Sequence, residues 1–144
     1  MALCLTLAGC GGGSLQCAPY ARRITGLPLY GPAAGWWRQS DRRFAHSSLP
    51  RPGAVLVLQA TRRLPYGHVS VVRRVLGPRE ILVAQANWEP GRIDHDAPVI
   101  DVSQRNDWSL VRVWWRPSNA VGLTRFAAYG FILPQPPLWR RASG

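Results

Sequence analysis

The chain's sulfur is the first place to look for chemistry. Its three cysteines, Cys4, Cys10 and Cys17, all stand within the first 17 residues, and an odd, clustered set is no disulfide framework. A cysteine is a useful nucleophile only as thiolate, a form that the partial positive charge at a helix N-terminus favours. Pro19 brings Cys17 to such a place: it lacks an N–H, so an α-helix tolerates it only in the first turn. A helix over residues 14–23, starting near Leu15 or Gln16 with Ser14 as its cap, carries Cys17 in that turn. The thiol is therefore expected to titrate below the ~8.5 of a free cysteine.

A nucleophile of this kind needs a base. His68 follows the small Gly67 and opens a strand, a rigid element on which to mount one. His46 sits in a polar loop and reads as a solvated side chain, and His95 lies in a loop between Asp94 and Asp96. Three consecutive polar residues give no ligand geometry, so no metal site is expected. An imidazole base also needs a partner on its second nitrogen to hold its tautomer and orientation. Strand alternation over residues 80–88 sets Gln85 and Asn87 on one face. Two adjacent amides either face water on an edge strand or, if buried, must be hydrogen-bonded. A cysteine, a histidine and an orienting amide together form an arrangement used by cysteine peptidases. Asn87 is the expected orienter, because the shorter side chain loses less rotamer freedom when fixed; Gln85 is then auxiliary.

The elements that must position these groups follow from punctuation and periodicity. Gly26 and Pro28 end the first helix, and a second is expected over residues 32–44 with Trp36 and Trp37. Beyond Pro50, Pro52 and Gly53 the pattern turns to strands, over residues 54–59, 68–75, 80–88, 99–102 and 110–115. The Pro-rich tail beyond Leu133 reads as an extended arm. Helices followed by a meandering sheet predict an α+β domain, with N-terminal helices packed on an antiparallel sheet.

At 144 residues and 16.0 kDa, 47% hydrophobic and 17% charged, the chain suits one folded domain and is not a disordered tail. The net charge is +11, and all 18 basic residues are arginines. That balance keeps open a non-catalytic module binding nucleic acid or an anionic cell-wall polymer. The arginine pairs are scattered, however, and no recognition motif, zinc spacing or basic helix accompanies them, so no specific nucleic-acid partner is expected. Among seven tryptophans, Trp37 and Trp88 are candidates for lining a binding groove, Trp88 because it adjoins Asn87.

The first nine residues are apolar and then small, and Leu7-Ala8-Gly9-Cys10 resembles the bacterial lipobox, whose cysteine is lipidated and becomes the mature N-terminus. The expected division is a leader with glycine linker over 1–13, a catalytic domain over 14–133 and a tail over 134–144. Cys10 is the candidate lipidation site. The implied location is the cell envelope, in the periplasm or tethered to the membrane through Cys10, or outside the cell.

Leu15-Gln16-Cys17-Ala18-Pro19-Tyr20-Ala21-Arg22, then Gly53-Ala54-Val55-Leu56-Val57, Gly67-His68-Val69-Ser70-Val71-Val72 and Ala86-Asn87-Trp88 occur in an order that resembles the CHAP domains, the cysteine- and histidine-dependent amidohydrolases/peptidases. The resemblance spans residues 14–116. It implies a papain-like α+β fold and cleavage of amide bonds in bacterial peptidoglycan through an acyl-enzyme, with stem peptides as partners and no cofactor. It implies Cys17 as nucleophile and His68 as general base, and places Asn87 at the family's asparagine. The Cys17 backbone N–H and Gln16 are the candidate oxyanion donors. The family often carries an acidic residue two positions before the asparagine, where this chain has Gln85. A cysteine acyltransferase on the same scaffold is the alternative within enzymes, and a monomer is expected.

Overall fold

Pro19 decides where the first helix can begin. The computed structural model describes residues 16–135, and helix α1 (Cys17–Thr25) starts so that Pro19 is its third residue. The first intrahelical bond, Tyr20 N–H to Gln16 C=O at 3.1 Å, falls on the next residue. The N–H that proline lacks is thus one the helix does not use. Gln16, not Ser14, is the N-cap, in an extended conformation. Gly26 ends the helix in the left-handed region at φ 73°, its N–H donating to Arg22 C=O at 2.8 Å. Ser14, the leader with Cys4 and Cys10, and the tail from residue 136 onward lie outside the described residues.

Helix α2 (Gly35–Ser40) is shorter than the expected 32–44. Arg42 adopts a positive φ of 62°, and the chain then enters a two-residue strand, β1 (His46–Ser47). Seven further strands follow: β2 (Val55–Leu58), β3 (His68–Gly77), β4 (Glu80–Ala86), β5 (Ile93–Asp101), β6 (Leu110–Trp115), β7 (Ala120–Val121) and β8 (Phe126–Ile132). All pair antiparallel in the order β1-β8-β2-β3-β4-β5-β6-β7, and β8 also pairs with β6. The strands from β2 to β6 and β8 therefore close on themselves like a barrel, and the domain is α+β. Strand β5 begins six residues earlier than the expected 99–102. Strand β8 has no counterpart among the expected strands. Its alanines and glycine are weak strand formers, and pairing with β2 on one side and β6 on the other holds it in place.

Strand alternation sorts the core into two clusters. Leu56 and Leu58 join Ile81, Val83, Val99, Trp108 and Phe131 in one; Val55 and Val57 join Cys17, Ala18, Ala21 and Trp36 in the other. The second cluster fastens α1 to β2 and β3, and Tyr20 on Ala84 and Ala86 fastens it to β4. Among the described residues, no helix is long and apolar enough to cross a membrane.

The small Gly67 before His68 leaves no room for a side chain. At its φ of 69° a Cβ would collide with the Leu58 carbonyl oxygen and lie 2.8 Å from the Ala34 Cβ. The glycine lets α2 and β2 close on the start of β3. Gly67→Ala should destabilise by about 2–4 kcal/mol, combining left-handed strain with a clash against backbone. Gly91→Ala, at φ 77° with nothing within 4 Å, should cost only about 1 kcal/mol. Urea midpoints of the two variants test the difference, and equal losses would show that the close approach at Gly67 carries no energy.

Candidate active site

Cys17 is the first residue of α1 and only 1% exposed. The first turn carries no acidic side chain to offset the positive end of the helix. Against the expectation that the clustered cysteines form no disulfide framework, Cys17 is disulfide-bonded, so the thiol that could attack a substrate is that of the reduced chain. Gln16, the N-cap beside it, is also buried.

The strands on which α1 rests carry the second half of the site. His68 opens β3, is buried, and its Nε2 lies 2.9 Å from Gln85 Oε1 on β4. Gln85 Nε2 in turn donates to Asp94 Oδ2 on β5 at 3.0 Å. The other Asp94 oxygen, Oδ1, accepts from Arg116 Nη2 at 2.7 Å, and Arg116 Nε donates to Glu89 Oε2 at 3.1 Å. A continuous line of polar groups thus runs from a dry imidazole to a guanidinium that is 45% exposed. The Trp88 ring tilts over His68 at 4.8 Å and meets Phe126 edge-on at 4.9 Å. Burial pushes the His68 pKa down from 6.5 to about 4, against the opposing pull of the Gln85 bond and the Asp94 charge. The ring is neutral at pH 7.

Asn87, expected to partner His68, does not hold that place; the ring partner is Gln85. The strand ends at Ala86, Asn87 takes a positive φ of 63°, and its Oδ1 accepts from Gly91 N–H at 2.9 Å. Alternation that would have kept both amides on one face stops one residue short of Asn87. Asp94 was missed for a related reason. Strands β4 and β5 pair Val83 with Ala97 and then Gln85 with Asp94, two residues against three. Regular pairing would have set His95 opposite Gln85. This β-bulge turns Asp94 inward and leaves His95 and Asp96 exposed on a strand, not in the expected loop.

His46 is also more than a solvated side chain. It stacks on Trp37 with ring centroids 3.8 Å apart, and its Nε2 lies 2.7 Å from Ser40 Oγ. Burial lowers its pKa, against the charge of Asp41. Trp37, a candidate groove residue, stacks with His46 and with Tyr129 at 5.7 Å. Trp88 is the tryptophan that touches His68. Among the described residues, no three His, Cys, Asp or Glu side chains are grouped to hold a metal ion.

A family model for the CHAP domain matches residues 8–87, more than half of the chain. Among solved structures, an N-acetylmuramoyl-L-alanine amidase from Staphylococcus aureus is similar in fold, with a TM-score of 0.51 and 24% identity. The match covers 68% of this chain and 30% of the staphylococcal one, so the chain spans under a third of that protein's length. No curated protein matches the chain.

The lowered His68 pKa has a consequence for stability. The unfolded chain protonates this ring near pH 6.5 and the folded chain only near 4. Stability contributed by the neutral ring is therefore complete above about pH 6.5 and lost as pH falls through that window, by on the order of 1–3 kcal/mol. The melting temperature should drop between pH 7 and 4.5, and drop less in His68→Gln. Equal drops in the two proteins would show that burial does not hold the ring neutral.

Proposed function

The chain belongs to the CHAP domain family, and we propose that it is a cysteine-dependent amidase or endopeptidase cleaving amide bonds of bacterial peptidoglycan. One observation carries the reading. The buried His68–Gln85 pair stands on the two strands against which the Cys17 helix is packed. Gln85 Oε1 can only accept, so His68 Nε2 carries the proton and Nδ1 keeps the lone pair. A buried imidazole with its lone pair on Nδ1 and its second nitrogen fixed is equipped as a base.

In this reading the reduced Cys17 sulfur attacks the amide carbonyl. Because the resting ring is neutral, His68 acts on the thiol as a proton acceptor and not as a standing positive charge. The helix N-terminus is the permanent electrostatic aid. The negative oxygen of the tetrahedral intermediate is placed near the Cys17 backbone N–H, with Gln16 beside it. His68 then protonates the leaving amine, and on return removes a proton from the water that releases the acyl group. No cofactor enters this scheme. Trp88, packed over His68, is the wall against which a stem peptide would lie. Trp37, stacked with His46 and Tyr129, offers a separate aromatic surface for the same polymer. The papain-like label is part of this proposal, as is an envelope location through the lipobox-like segment ending at Cys10. Lipidation there would remove Cys4 with the leader and engage the Cys10 sulfur, leaving Cys17 as the chain's single thiol.

Digestion of purified peptidoglycan by the reduced protein, with mass analysis of the fragments, should reveal newly released amines at stem-peptide bonds. Cys17→Ala should give none, and an equally active Cys17→Ala protein would overturn the proposal. Gln85→Ala should lower kcat by about 10²–10⁴-fold with KM little changed, as for the loss of a histidine orienter. Asn87→Ala should register chiefly as a lower melting temperature. If Asn87→Ala instead loses kcat and Gln85→Ala keeps it, the orienting role returns to Asn87.

A further inference from the structure

A glutamine beside a histidine does not by itself choose a tautomer. Its amide has nearly the same shape either way round. With the carbonyl toward His68, Nε2 must donate and Nδ1 is left basic. With the NH2 group toward His68, Nε2 must accept, the proton moves to Nδ1, and the nitrogen assigned above as the base is blocked. Something else must decide between the two.

We propose that Asp94 is a positioning residue of this site, whose carboxylate fixes the Gln85 amide and thereby which nitrogen of His68 carries the proton. The inference rests on the catalytic reading given above for His68. An ionised carboxylate only accepts hydrogen bonds, so the Gln85 atom 3.0 Å from Asp94 Oδ2 has to be the NH2 group. The carbonyl then has to face the imidazole 2.9 Å away. Both Gln85 and Asp94 are buried, with exposures of 1% and 9%, so water is a poor substitute for either partner. Turning the amide over would set its oxygen against a carboxylate oxygen in a dry place. Asp94 faces a cation: Arg116 Nη2 donates to Oδ1 at 2.7 Å, and Arg116 in turn holds Glu89, which also pairs with Arg92 at 3.6 Å. The bulge between β4 and β5 brings Asp94 and not His95 to this position. His95 there could donate or accept, and would leave the amide undecided.

The test uses the full-length chain, reduced, with nitrogen-15 in its histidine rings. Nuclear magnetic resonance identifies which ring nitrogen is protonated, and comparison with His68→Gln picks out the His68 signals from those of His46 and His95. The wild type should show the proton on Nε2 alone. Asp94→Asn, nearly identical in shape, keeps its oxygen toward the Arg116 donor and so presents its NH2 group to Gln85. It should turn the Gln85 amide over and move the His68 proton from Nε2 to Nδ1, with kcat lowered about tenfold or more and KM within about twofold. Gln85→Glu alone sets two carboxylates together, and its activity should rise as pH falls and one of them takes up a proton. The double variant, Gln85→Glu with Asp94→Asn, transposes charge and amide. The carboxylate now on β4 accepts from Nε2, and the amide now on β5 donates to that carboxylate, so the Nε2 proton and most of the turnover should return. That return also keeps the proposal testable if Asp94→Asn folds poorly, since a purely structural Asp94 predicts no rescue. Asp94→Asn with the proton still on Nε2 alone, or a double variant no better than the worse single one, would overturn the inference. Failure of the catalytic reading looks different: the tautomer responds to Asp94 as stated, while Cys17→Ala digests peptidoglycan as well as the wild type.

Discussion

An amide buried between an imidazole and a carboxylate is satisfied only if three strands hold their positions at once. Gln85 reaches back across β4 to His68 on β3 and forward to Asp94 on β5. Losing either contact would leave a buried polar atom unpaired, at a cost of about 1–3 kcal/mol. The interaction therefore couples the order of the sheet to the chemistry at its end. It also carries charge from the surface inward without placing an ion beside His68. Arg116 and Glu89 meet water, Asp94 is nearly dry, and Gln85 passes on only an oriented dipole. A carboxylate in direct contact with the ring would raise its pKa strongly; the interposed amide leaves burial dominant and the ring neutral.

The rest of the fold serves to keep this line rigid. The interior cluster of Leu56, Leu58, Ile81, Val83, Val99 and Phe131 fixes the strands from within, and β8 closes the sheet by pairing on both sides. The Cys17 helix is pressed from outside onto β2, β3 and β4 by small residues, Ala18 and Ala21, which let it approach closely. Its only large buried side chain, Tyr20, lies on two alanines of β4. Gly67 does the same for α2. The site thus stands where α1 packs on the sheet, with Cys17, His68, Gln85 and Asp94 on elements and not on loops.

Much of this was legible in the sequence. Pro19 alone confined Cys17 to a first turn, and Gly67-His68 marked the start of a strand that the structure places there. Helix α1 and strands β2, β3, β4 and β6 carry clear local signals, whereas the two-residue β1 reads as part of a polar loop. Strand β8 carries no such signal, because Phe-Ala-Ala-Tyr-Gly-Phe-Ile owes its conformation to two neighbours distant in sequence. The choice between Gln85 and Asn87 was open to misreading for a local reason. Alternation extends to Asn87 on paper, whereas the chain turns at that residue with a positive φ. Asp94 was visible only as one of three polar residues in a row. Which of the three points inward depends on a bulge that no single-strand pattern encodes.

That bulge gives β5 two reading frames. From Ala97 onward the strand is matched to β4 in one phase, and from Asp94 back toward Ile93 in another. Adding or deleting one residue in this short stretch would not merely lengthen or shorten a strand. It would exchange the identity of the side chain offered to Gln85, replacing an anion by an imidazole or a second acid. The spacing of the Asp94-His95-Asp96 triplet is thus as much a part of the site as its residue types, and a shift of phase there amounts to a change of chemistry.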